Sequence, residues 1–548
     1  MNVAENTNWE WFWWNGSRYR GDPPFFSGFS KADLETFRMH LKRKYGTDAA
    51  LAKAWNDPAV TFDTAKMPTE KEILSSSAGA LLDVARDRKT GDWFEYRNAS
   101  LGHAFITLCG MVKEFSGGKL LAGGYYGYAA GLAAGSGHPI HDVGHNGFLE
   151  AAKSPNVNYF RAPAGYGSRR LGMSGTISMP WATMRLRHKV AFVECDMRTP
   201  LQDNRGASDI PVGRTATLDQ TLDLMNRFFG KMAATGNSYY WYDISDGAFL
   251  NPVLTAHLKH QMEIYNTLPP VRDLTPREIA AVGDRDSVYY TKRNNSKDAL
   301  MEAAVRCVLQ VMPKLGAPFD LCCTADLVEG KLPPKKFYVM YNSYMLSKEY
   351  REALMRRFEA EKAHVLWLYC AGVSYPDRGP DAAFSGDFLG VKLRRDDTKR
   401  RAKLQLEPAW GTDTVTSMYT SFPWFIPEAG FDEVIGRDEN GAPALVSVKR
   451  GNSTHYLSTL PNLSEGIIRK LAEKAGVRFY TPDTADPAWI GNDLVFLHCA
   501  TSGAKRLTPA PGTVMKQILG PEVRPTLKPG EMWFGEAGRT YGFLVVPE

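Results

Sequence analysis

Along the first half of this chain, strand-like and helix-like segments alternate, and that alternation restricts the fold more than any other feature. Residues 119–128 (KLLAGGYYGY), 157–163 (VNYFRAP), 190–196 (VAFVECD) and 238–245 (SYYWYDIS) are aromatic and β-branched runs of strand length. Helical spacing separates them: Leu101, Phe105, Leu108 and Val112 within 92–115; Leu218, Leu222, Met225, Phe229 and Met232 behind a capping box at Thr217–Gln220; and a further helix over 252–266. Upstream, Ser30 to Asp33 is a capping-box pattern that opens a helix carrying Leu34, Phe37, Leu41 and Tyr45. Strand then helix, repeated, predicts a parallel sheet with right-handed crossovers. In a β/α barrel the carboxyl ends of the strands carry the chemistry. Here those ends hold Tyr126, Arg161, Glu194 and Asp243.

Pro269-Pro270 reads as a linker, and the pattern restarts at about 284. Strands are expected at 287–293, 318–323, 336–343 and 365–372, with helices at 297–313 and 347–362. This second α/β domain has no GxGxxG after its first strand and the chain has no GxxxxGK[ST], so neither dinucleotide nor P-loop binding is indicated. A hairpin around Glu439-Asn440-Gly441 and a helix at 464–476 follow, then short strands between Pro/Gly turns. The expected domains are 1–270, 284–478 and 479–548, the last a small β domain. A chain of 548 residues accommodates three to four domains. Its net charge of +6 argues against a dedicated nucleic-acid or membrane-surface protein. No run of apolar residues is long enough to predict a membrane helix. The opening MNVAENTNWEWFWW lacks a basic n-region and an A-x-A site, so no signal peptide is expected and a cytoplasmic location is favoured. Seven scattered cysteines without CxxC fit buried thiols rather than a disulfide or zinc framework.

Glu194, at a strand end, is placed to act as a nucleophile, with Arg198 available to keep it ionised; a structural Glu–Arg pair is the alternative. Glu10 sits among Trp9, Trp11 and Phe12, where apolar surroundings disfavour a carboxylate and suit a general acid. Two carboxylates on different strands of one barrel are what glycoside hydrolysis requires. Aromatic residues make up 12% of the chain, and sugar rings stack on such faces. Asp243, after Trp241, can orient a sugar hydroxyl or cap the following helix. Arg169 and Arg170 can hold substrate or pair with a carboxylate. His138, His141 and His145, with Asp142, lie in HPIHDVGH, which lacks the HExxH spacing of a helical metal site. No metal is expected there; its glycines favour a mobile loop over the site mouth.

Several segments resemble glycoside hydrolase family 42 and its β-galactosidase-like relatives. FRMHLKRKYGTDAALAKAWN (37–56) is similar to the helix and loop after their acid/base residue. SPNVNYFRAPAGYGSRRLG, HKVAFVECDMRT and YYWYDIS resemble their later barrel strands, and 316–358 resembles their flavodoxin-like (glutamine amidotransferase-like) trimerisation domain. The resemblance implies a (β/α)8 catalytic barrel, of which 1–270 would form the C-terminal half, then the flavodoxin-like domain and the β tail. It implies a retaining β-galactosidase-type hydrolase, assembled as a homotrimer, acting on carbohydrate without cofactor or metal. Glu194 matches the nucleophile and Glu10 the acid/base; Tyr126, Arg169, Arg198, Trp241 and Asp243 match positions lining the sugar site. Two departures stand out. Trp9 precedes Glu10 where the relatives have Asn, which leaves Glu5 as a rival. The acid/base residue belongs after the fourth barrel strand, yet here it is residue 10, so about four β/α units have no counterpart. Residues 1–270 are therefore expected to form an open sheet of four strands plus a stub, with Leu120, Leu121 and Ala122 exposed at its front edge. A carbohydrate-binding or assembly protein without turnover is the alternative function, and a metal hydrolase built on the histidines a third.

Overall fold

The structure is a computed structural model that describes residues 1, 3, 27–130, 140–141, 143–202, 213–243, 247–293, 299–483 and 485–548. Its first sheet has four strands, β1 (Gly123–Tyr125), β2 (Tyr159–Pro163), β3 (Val190–Cys195) and β4 (Ser238–Trp241), all parallel and in that spatial order. The helices Phe148–Lys153, Trp181–Leu186, Leu218–Thr235 and Pro252–Thr267 follow them in turn. Beyond β1, Val3 N–H donates to Gly123 O (2.8 Å) and Gly123 N–H to Met1 O (3.3 Å), the pattern of parallel pairing. The expected front edge is partly corrected. Leu120 and Leu121 are 48% and 62% exposed, but Ala122 is buried. β1 is also shorter than the ten residues expected. Lys119 and Leu120 still belong to the turn that ends the preceding helix, with Lys119 N–H on Ser116 O. At Gly123 a Cβ would meet Tyr159 O at 2.2 Å, so only glycine lets β1 and β2 approach there.

The preceding helix, Val84–Phe115, starts eight residues before the expected 92. Its first turns are rich in charge, yet Asp92 is fully buried and accepts from Tyr45 Oη (2.7 Å) and Trp55 Nε1 (2.8 Å), with Lys44 Nζ at 3.0 Å. That network and an apolar cluster including Phe37, Leu41, Leu51, Trp93 and Phe94 hold helices Lys31–Tyr45 and Asp48–Trp55 against it.

In the second sheet, β5 (Ile279–Gly283), β6 (Phe319–Cys323), β7 (Phe337–Met340), β8 (His364–Trp367) and the strand Ser453–Ser458 run parallel. Their spatial order is 2-1-3-4-5, the flavodoxin-like order. An antiparallel extension, beginning with Pro443–Arg450, continues past Ser453–Ser458. The expected first strand at 287–293 is a misreading: Asp286–Tyr290 is a 3-10 turn, and the strand is Ile279–Gly283, which precedes the expected boundary at 284. IAAVG has small side chains because it lies between β6 and β7 with all five residues buried. The aromatic run Val288, Tyr289 and Tyr290 instead packs against the first unit, where Tyr290 Oη accepts from Arg88. A five-stranded antiparallel sheet between Ala488 and Pro547 completes the chain. The helix Leu218–Thr235 lies between it and the first sheet, with Phe228 on Tyr239 (5.3 Å) and Phe229 on Phe496 (5.8 Å). Among the described residues no helix is long and apolar enough to cross a membrane.

Candidate active site

Alternation along the strands decides which side chains meet. In register, Tyr125 is opposite Arg161 and Arg161 opposite Phe192, while Glu194 is opposite Tyr240. These five share the face turned away from the helices. Four strands span about 14 Å across a flat sheet, yet the hydroxyls of Tyr125 on β1 and Tyr240 on β4 touch, so the sheet curls towards this face. Both hydroxyls donate to the same oxygen, Oε2, of Glu194, which is 6% exposed. The Arg161 guanidinium lies between the two phenol rings, 4.4 Å from the Tyr125 centroid and 4.6 Å from that of Tyr240, and Phe192 stacks on Tyr240 at 5.5 Å. Burial first, and then Glu194, push both phenols above their ordinary range, so they are neutral donors. Burial works against the Arg161 charge, but the neighbouring Tyr125, Tyr240 and Glu194 outweigh it and hold the guanidinium protonated. The result is an oriented carboxylate at the carboxyl ends of parallel strands. Such a group can attack an electrophilic carbon or support a cationic centre.

The other sequence-predicted residues fall elsewhere. Tyr126 is one residue past the strand and faces away; its hydroxyl donates to Gly144 O (2.8 Å), and its ring stacks on Phe105 (4.7 Å). Trp241 lies on the helix side, against Phe228 (5.5 Å) and Phe249 (5.4 Å), because it is one residue on from Tyr240. Arg198 does not reach Glu194: it donates to Asp196 O (2.7 Å), with the Asp196 carboxylate at 3.9 Å. Asp196 also pairs with buried Arg169 and accepts from Tyr166 Oη (3.0 Å), and Arg169 is stacked on Tyr166 at 3.7 Å. Arg169 and Arg198 thus build a polar knot beside Glu194 rather than a contact to it. Asp243 accepts from the backbone N–H groups of Gly247 (2.7 Å) and Ala248 (3.1 Å). His141 and His145 are core residues, not parts of a loop over the site mouth. His141 Nε2 is 2.9 Å from Thr291 Oγ1, and the His145 ring packs on Tyr128 at 4.2 Å. Among the described residues no three His, Cys, Asp or Glu side chains are grouped to hold a metal. Glu10, Glu5, Trp9, His138 and Asp142 lie outside the described residues. Sequence reasoning missed Tyr125 and Tyr240; the register of β3 against β4, which sets Glu194 opposite Tyr240, is the signal that finds Tyr240.

No family model and no curated protein matches the chain by sequence. Solved structures do match its fold. The β-galactosidase from Bacillus circulans sp. alkalophilus is 15% identical at a TM-score of 0.66, over 96% of this chain and 80% of that one. A catalytic mutant of Gan42B, a GH42 β-galactosidase from G. stearothermophilus, is 13% identical at 0.63, over 97% and 80%. An exo-carrageenase GH42 from Bacteroides ovatus is 11% identical at 0.56, over 95% and 64%. At these identities the likeness is one of backbone architecture: the α/β fold of this chain is similar to that of the glycoside hydrolase family 42 β-galactosidases.

Proposed function

We propose that this chain is a glycoside hydrolase of β-galactosidase type that acts with retention. On this reading its four parallel strands are the C-terminal half of a (β/α)8 barrel, and the 2-1-3-4-5 sheet belongs to a trimerisation module. The observation that carries the reading is Glu194: a buried carboxylate at the end of β3, held by two tyrosine hydroxyls on one oxygen. Among the described residues both contacts fall on Oε2, which directs Oε1 to the anomeric carbon. In the first step Glu194 bonds to that carbon, the glycosidic C–O bond breaks, and an acid, for which Glu10 is the candidate, protonates the departing oxygen. Water then attacks the glycosyl ester, giving its proton to the same residue and releasing Glu194 as carboxylate. Tyr125 and Tyr240 keep the carboxylate turned for attack in the first step and receive its charge again in the second. This chemistry needs two carboxylates and no cofactor.

A panel of nitrophenyl β-glycosides tests the reading. Glu194→Gln should abolish turnover while leaving the melting temperature within a few degrees, because an amide forms no glycosyl ester. Turnover at the wild-type rate in that variant would remove Glu194 from the site. The homotrimer is tested by light scattering at micromolar concentration, where a monomer would sink it. One observation favours a second reading, carbohydrate binding without turnover: the touching Tyr125 and Tyr240 hydroxyls close over Glu194 and shield it. Glycoside binding that survives Glu194→Gln, with no turnover by either form, would select it.

A further inference from the structure

On the far side of the first sheet from Glu194, a cleft of about 560 Å³ opens between helices Leu218–Thr235 and Pro252–Thr267 and the C-terminal sheet. Its size is that of a small-molecule site, and junctions between units are where such sites concentrate. The floor is polar, buried and already fixed. Asp223 accepts from Thr540 N–H (2.9 Å) and Arg539 (3.0 Å), which ties the helix to the C-terminal sheet. Asn226 Oδ1 lies 2.6 Å from His257 Nε2 and accepts from Gln261 Nε2 (3.0 Å), which ties the two helices together. Burial pushes His257 down to about 4, so at neutral pH it adds no charge. The rim differs. Asp219, His260 and Glu522 line the opening, and none of their side chains makes a hydrogen bond or ion pair among the described residues. The remaining wall carries the apolar side chains of Leu222, Ile518 and Pro521, together with Gln517, whose amide donates to Pro521 O (2.6 Å) and accepts from Val523 N–H (3.0 Å).

We propose that this cleft is a saccharide-binding site separate from Glu194. A sugar ring presents a C–H face and a rim of hydroxyls, each both donor and acceptor. The apolar wall suits the first. Two unengaged carboxylates, which only accept, and an imidazole, which does either, suit the second. An anionic ligand would meet Asp219 and Glu522 with one cation in the lining, Arg539, which is already paired with Asp223, so the saccharide is neutral. The rigid floor means that no ordering of the walls is required on binding. The proposal does not depend on the hydrolase reading, and its test separates the two.

The test uses the full chain with gluco-, xylo- and galacto-oligosaccharides of two to four units, by saturation-transfer NMR and calorimetry. Binding should persist in Glu194→Gln and weaken at least tenfold in the double variant Asp219→Ala, Glu522→Ala. Both rim residues are exposed, and an unchanged melting temperature checks that the fold is kept. Binding lost in Glu194→Gln and untouched by the rim variant would overturn the proposal, as would silence from the whole panel. Putrescine bound in place of the sugars, and lost in the rim variant, would also overturn it by assigning the cleft to cations.

Discussion

Asp320 tests quantitatively how the first two units are joined. It lies on β6, buried, with Arg185 at 2.7 Å, Lys335 Nζ at 2.9 Å and Arg277 Nε at 3.7 Å. Arg185 belongs to the helix Trp181–Leu186 of the first unit, so the cluster crosses the junction. Burial alone would raise the Asp320 carboxyl; the three cations overcome it and hold it at about 2, against 3.8 for a free side chain. A carboxyl depressed in the folded state contributes stability that is fully present above its unfolded pKa. That contribution is lost as the pH falls through the folded value. Here it amounts to about 2–3 kcal/mol at pH 7 and about half that at pH 3. Asp320→Asn should remove it, and the three cations left facing one another move the loss towards about 3–5 kcal/mol. Urea unfolding followed by tryptophan fluorescence measures the loss, and two of the 13 tryptophans report from the junction. Trp181 and Trp489 are buried against Phe319, at 5.3 and 6.0 Å, and lie 6.1 Å from each other. A loss under about 1 kcal/mol at pH 7, or one that does not shrink between pH 7 and pH 3, would refute the reasoning.

Two further outcomes follow from packing and from the strand face. Gly230→Ala places a Cβ 2.1 Å from the Phe496 ring, where the helix Leu218–Thr235 meets the C-terminal sheet, and should cost about 1–3 kcal/mol by thermal unfolding; a neutral result would show that the interface yields. The neighbours Tyr125 and Tyr126 should separate cleanly. Tyr125→Phe removes a donor to Glu194 and, on the hydrolase reading, lowers kcat about 10- to 100-fold with little change in KM. Tyr126→Phe strips the partner of Gly144 O, costs about 1–3 kcal/mol of stability and leaves kcat unchanged. The reverse pattern would mean that the strand faces are assigned the wrong way round.

Much of the fold is legible in local sequence, for reasons that also explain the failures. Ser30 and Asp33 form the predicted capping box, each side chain taking the other's backbone N–H at 3.1 Å, because that geometry needs only four consecutive residues. At Thr217 half the box is made: Thr217 Oγ1 accepts from Gln220 N–H, but Gln220 Oε1 takes Ala216 N–H instead of that of Thr217. Strands β2, β3 and β4 announce themselves through β-branched and aromatic residues. β5 does not, since a strand covered on both sides is selected for small apolar residues that a propensity reading passes over. The aromatic Val288-Tyr289-Tyr290 has strand propensity and is overridden by packing against the first unit.

The site is less legible than the fold because its defining contacts join distant residues. Glu194 is legible because a carboxylate at a strand end is conspicuous, and its position along the strand is local information. Which tyrosine of Tyr125-Tyr126 reaches it is fixed by parity, and parity is known only once the register of β1 against β2 is known. That Tyr125 and Tyr240 meet at all depends on the sheet curling, a property of four strands together that no single segment encodes. Arg198 shows the same limit at short range. It has two carboxylates within four residues, and the chain leaves the strand after Cys195, so the guanidinium folds back on Asp196 O rather than reaching Glu194. The charge that neighbours Glu194 therefore comes from Arg161, on an adjacent strand: its place at a strand end is readable in the sequence, but its seat between two rings from β1 and β4 is not.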